Sequence, residues 1–113
     1  MNTHLIHKLA LFTFALACLY GQPVQARDYS PQRIGSFAGA MKYCEDEDGS
    51  RSSRYRDARR SVAREVDGMS RQEKSRAIDA RDRAYSSGRF MGKRLDRKSC
   101  QDLLRQSEWN RYR

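Results

Sequence analysis

Three cysteines and two histidines are the residues best suited to covalent, metal or acid–base chemistry in this 113-residue chain. Their positions remove most of that chemistry. His4, His7 and Cys18 fall in the first 26 residues; only Cys44 and Cys100 fall beyond them. Residues 1–26 have the organisation of a secretory signal peptide. His4, His7 and Lys8 form a weakly basic start, residues 9–20 a twelve-residue apolar run, and Pro23-Val24-Gln25-Ala26 a cleavage site with small residues at −3 and −1. The run is too short for a stable membrane span. The expectation is cleavage after Ala26 and a periplasmic or secreted product, residues 27–113, without a transmembrane span. A lipoprotein signal at Cys18 would want leucine where Ala15 stands.

Such a product has no histidine, and in an oxidising compartment Cys44 and Cys100 pair. It then lacks the commonest general base, the commonest zinc ligand and the thiol nucleophile. No catalytic, cofactor or metal site is expected, and the chain reads as a non-enzyme. Gly88-Arg89-Phe90-Met91-Gly92-Lys93 falls short of a phosphate loop. It has three residues between its glycines instead of four, and Arg94 stands where Ser or Thr would hold magnesium. Glu45-Asp46-Glu47-Asp48-Gly49 fails as a calcium loop, because Gly49 at the sixth position puts Cys44 first and Tyr55 twelfth. It reads instead as a solvated acidic helix end that opposes the helix dipole. One use for it would be pairing with arginines of the chain or with a partner's cation.

Charge is the remaining chemical resource. Beyond residue 26 there are 22 basic and 14 acidic residues, a net of +8, and 18 of the 22 are arginine. Residues 27–48 carry −2 and residues 49–113 carry +10. Arginine grips carboxylates and phosphates with paired hydrogen bonds, although arginine richness also follows from a GC-rich genome. Arg56, Arg60 and Arg64 form an i, i+4, i+8 stripe in which like charges repel. It is either a solvated face or a binding stripe for oxyanions. Arg81 projects between Ile78, Ala84 and Tyr85. It reads as a structural cation for Asp102 or Glu108, or as an exposed interface arginine beside Tyr85. Trp109, Arg111, Tyr112 and Arg113 alternate aromatic and basic groups. Trp109 either docks on the core or, with Arg111, meets a partner.

These residues need elements to hold them, and the apolar spacing predicts helices. Ser30-Pro31 is a helix start, followed by Ile34, Phe37, Ala38, Met41 and Cys44 on one face. Tyr55, Ala58, Val62, Val66 and Met69 form a second face, with Gly68 as terminator. Ser70-Arg71-Gln72-Glu73 is a capping box opening a third helix with Ala77, Ile78, Ala84, Tyr85 and Met91 on one side; Gly88 either marks its end after Ser86-Ser87 or is a point of fraying or kinking. Ser99-Cys100-Gln101-Asp102 opens a short last helix with Leu103 and Leu104. No strand-like alternation stands out.

The expected fold is all-α, a small bundle of three to four short helices stapled by Cys44–Cys100, with residues 27–30 and 110–113 loose. Only nine of the 87 residues beyond 26 are Ile, Leu, Val or Phe, and such a composition borders on disorder. The staple is therefore expected to matter. The expected function is non-enzymatic binding of an anionic partner, an acidic protein surface or anionic envelope component. Arg56, Arg60, Arg64, Arg81, Trp109 and Arg111 are the candidate contacts. The alternative is a cationic binder of membrane or lipopolysaccharide surfaces; nucleic acid ranks below both.

Overall fold

A computed structural model describes residues 30–112. The proposed signal, Cys18, residues 27–29 and Arg113 lie outside the described residues. The fold is a small all-α bundle: α1 (Pro31–Glu47), α2 (Ser52–Asp67), α3 (Arg71–Ser87) and α4 (Arg97–Arg105). A 3-10 turn (Gly49–Arg51) joins α1 to α2, and another (Ser107–Tyr112) follows α4.

α1 is the central element and packs on every other helix. Its start follows the sequence signal, with the Ser30 hydroxyl accepting from the Arg33 amide and Pro31 in the first turn. Ile34, Phe37, Ala38, Met41 and Cys44 are all buried. The opposite edge of α1 is set by two glycines that pattern reading did not single out. A Cβ on Gly35 would lie 1.9 Å from the Ala77 carbonyl oxygen, and one on Gly39 would lie 2.1 Å from that of Arg81. The backbones of α1 and α3 thus meet with no side chain between them, and α3 must present its smallest residues there. Ala77, Ala80 and Ala84 are accordingly the buried ones.

That requirement rotates α3 relative to the expected face. Ile78 is only half-buried, Tyr85 is exposed, and Arg81 lies at the edge with 46 % of its side chain exposed. Arg81 pairs with its neighbour Asp82 at 3.0 Å, and not with Asp102 or Glu108. The capping box at Ser70 and Glu73 is complete in both directions.

At Gly88 the helix-end reading holds, with no kink in α3. The helix stops there, with Gly88 in the left-handed conformation that glycine tolerates best. A ribbon follows that alternation had not revealed, because each strand has two residues: β1 (Arg89–Phe90) and β2 (Lys93–Arg94), antiparallel. α4 begins at Arg97, with Asp96 as its cap accepting from the Ser99 amide. Ser99 therefore sits inside the first turn and does not open it.

The C-terminal end is also docked. Trp109 is fully buried and stacks on Phe37 at 4.0 Å, with Phe90 set edge-on to both rings. Arg33 lies 5.6 Å from the Trp109 ring centre and donates to both carboxylate oxygens of Glu108. Residues 110–112 are not loose, since Tyr112 is buried and its hydroxyl donates to Glu65. Ser30 is likewise engaged as the α1 cap. The physical reason is the flat face of Phe37, which gives the last aromatic residues somewhere to lie in a core short of aliphatic groups.

The Gly39 contact yields a direct test. Gly39→Ala should lower stability by about 2 kcal/mol in a denaturant melt, because overpacking against backbone, at the upper end of about 3 kcal/mol, outweighs a gain in helix propensity of about 1 kcal/mol. An increase in stability would show that the helices are not in backbone contact.

Candidate anion-binding site

The acidic run at the end of α1 is where the structure departs most from a solvated helix end. Glu45 is mostly buried and accepts from Arg59 at 2.8 Å and from Arg56 at 3.3 Å. Asp48 is only 1 % exposed. Its Oδ2 accepts from the Tyr55 hydroxyl at 2.7 Å and from Gln101 at 3.3 Å. Its Oδ1 accepts from Ser50 at 2.8 Å and from Arg97 at 3.2 Å. Arg51 completes the group with a longer ion pair at 3.5 Å. A carboxylate with this many donors remains ionised despite burial. The Tyr55 hydrogen bond, reinforced by Ser50, Gln101 and Arg51 against the opposing effect of burial, lowers the Asp48 pKa to about 2. Burial and the same carboxylate push the Tyr55 hydroxyl well above its ordinary range.

The disulfide lies beside this group. Cys44 and Cys100 join the end of α1 to α4, and the Asp48 amide donates to the Cys44 carbonyl. Closing a loop of this span removes about 4 kcal/mol of unfolded-chain entropy on the chain-entropy model. Covalent bond and buried carboxylate together hold α4 against the start of α2.

Between those two helices runs a cleft of about 340 Å³ lined by Arg51, Arg54, Asp57, Gln101, Leu104 and Arg105. Around its rim, Ser50, Ser53 and Arg97 join Arg51 and Arg54 in a shallower depression. Arg51 and Arg97 are oriented by Asp48. Arg54 and Arg105 make no ion pair among the described residues and flank the buried Leu104. Two guanidiniums constrained by Asp48 and two without an ion pair among the described residues, against the carboxylates of Asp48 and Asp57, make an anion-attracting surface with Leu104 in its lining.

The sequence-predicted contacts are not brought together there. Arg56 is tied to Glu45, Arg64 donates to Ser61, and Arg60 is exposed on the same helix. Arg111 is held by Glu65 and Tyr112, and Trp109 is inside the core, out of reach of a partner. The cleft arginines had no visible periodic signal, since they come from two segments of chain 40 or more residues apart, the turn with the start of α2 and α4. Asp48 offered one: an acid at a helix C-terminus is costly unless cations are near.

Among the described residues, no group of three or more His, Cys, Asp or Glu is arranged to hold a metal. No described helix is long and apolar enough to cross a membrane. Comparison with protein-family models, curated proteins and solved structures finds no match.

The pKa of Asp48 sets a pH dependence. A carboxylate whose folded pKa lies below its unfolded value of 3.8 contributes stability above that value and loses it as pH falls toward 2. Asp48→Asn should therefore melt lower than wild type at pH 7, with the gap narrowing between about pH 4 and pH 2. A gap that stays constant across this interval would mean that Asp48 is not held as a buried anion.

Proposed function

We propose that this chain is an exported, non-enzymatic binding protein whose partner presents an acidic protein surface to the cleft between α2 and α4. The observation that carries the reading is the pair of unpaired guanidiniums, Arg54 and Arg105, set beside Arg51 and Arg97, which a buried carboxylate already orients. Oriented arginines lose little freedom on binding. Leu104 at the floor supplies apolar contact beneath the charges, as in interface centres where aromatic and aliphatic groups sit inside a charged rim. Export is supported by the signal-like residues 1–26 and by a disulfide in a chain with no other cysteine beyond residue 26.

The stripe-and-tail route to a membrane or lipopolysaccharide keeps Arg60 and Arg64, which are exposed, but has weaker support from its other residues. Arg56 and Arg111 are engaged by Glu45 and Glu65, and Trp109 is buried. The cleft replaces the stripe as the site.

The double variant Arg54→Gln/Arg105→Gln should fold and melt as wild type, because neither side chain makes an ion pair among the described residues. In pull-downs from periplasmic extract, wild type should retain a saturable, salt-sensitive partner that the double variant holds at least tenfold more weakly, while Arg60→Gln/Arg64→Gln retains it. Equal retention by all three proteins would refute the cleft. Intact mass of protein recovered from an exporting host should begin at Arg27; an acylated start at Cys18 would contradict soluble export.

A further inference from the structure

The ribbon after α3 breaks two local rules. Met91 and Gly92 form its two-residue loop, and both have positive φ, 49° and 84°. That is the pattern of a type I′ turn, whose first position is ordinarily Asn, Asp or Gly. A methionine there is strained. It is also the most exposed large hydrophobic side chain among the described residues, at 62 %. The second breach is in the register. Arg89 is paired directly with Arg94, so two like charges face each other on one side of the ribbon. Neither makes an ion pair among the described residues; the Arg89 guanidinium donates to the Gly92 carbonyl across the loop, at 3.3 Å.

The ribbon is nonetheless firmly seated. Phe90 is buried against Phe37 and Trp109, and the Leu95 amide donates to the Gly88 carbonyl at its base. A rigid base thus presents an apolar tip in a basic surround. Residues 81–98 carry seven cations and two anions, one of which, Asp96, lies within electrostatic reach of Lys93 and Arg94. An anion between Arg89 and Arg94 would relieve their repulsion, and an apolar medium just beyond would take the Met91 side chain. A bilayer surface rich in anionic headgroups supplies both, with phosphate in the plane of the arginines and hydrocarbon beneath. We propose that the Arg89–Arg94 ribbon is a contact for anionic lipid surfaces, with Met91 entering between headgroups and Arg89, Lys93 and Arg94 bound to their phosphates. This contact is separate from the α2–α4 cleft and does not depend on it.

The two local costs make the test unusually sharp, because stability and binding should move in opposite directions. Met91→Asn suits the turn and should raise the melting midpoint by several degrees. In co-sedimentation with vesicles of phosphatidylcholine containing about one-third phosphatidylglycerol, the same variant should bind roughly tenfold more weakly than wild type. Arg89→Gln/Arg94→Gln should also melt no lower than wild type and lose most of the binding. Vesicles of phosphatidylcholine alone should bind none of the three. The proposal is overturned if wild type fails to bind the anionic vesicles, if it binds the neutral ones equally, or if Met91→Asn binds as wild type. That last result would mean diffuse electrostatic adsorption or a tip that serves some other partner.

Discussion

A buried, ionised carboxylate organises this molecule. Asp48 sits where three helices converge, at the end of α1, before the start of α2 and beside α4. Removing a carboxylate from water is unfavourable unless its oxygens are filled with donors. Five side chains fill them here, and they come from the connecting turn, from α2 and from α4. The demand of one group for hydrogen bonds therefore fixes the relative placement of the three elements that build the cleft. The disulfide acts at the same place by a different route, through the entropy of the unfolded chain. A core this poor in aliphatic residues needs both.

Much of the fold was legible in the residues. Ser30 with Pro31, the capping box at Ser70 and Glu73, and the heptad-like spacing from Ile34 to Cys44 are local signals, and local signals survive in the folded chain. What was not legible depends on contacts between distant segments. The glycines at 35 and 39 look like weak points in a helix until Ala77 and Arg81 are set against them, and only then is the orientation of α3 determined. Hence the misplacement of Arg81, Ile78 and Tyr85. The two-residue strands are too short for any periodicity to show, whereas docking of Trp109 on the core was a reading the sequence offered, and Phe37 supplies the face it needs.

The candidate site was the least legible part, for an electrostatic reason. With 18 arginines beyond residue 26, composition cannot separate those that fold the chain from those that remain available. The fold makes that separation. Arg33, Arg56, Arg59 and Arg111 are matched to Glu108, Glu45 and Glu65, and Arg51 and Arg97 to Asp48. Arg81 is matched to Asp82; Arg54 and Arg105 in the cleft and Arg89 and Arg94 on the ribbon make no ion pair among the described residues, and neither do Arg60, Arg64, Arg71, Arg76 and Arg83 on the helix surfaces. The acidic run that looked like a solvated helix end is in part the internal counter-charge that makes a chain of this net charge compact.

The dependence of the fold on Asp48 is tested most directly by its own titration. With the aspartate side-chain carbons labelled and followed by NMR from pH 7 down to pH 1.5, the Asp48 carboxyl should titrate with a midpoint near 2, and the Gln101 amide and Tyr55 ring signals should move with it. A midpoint near 3.8, with Gln101 and Tyr55 unmoved, would mean a solvated carboxylate that does not hold α4 against α1 and α2.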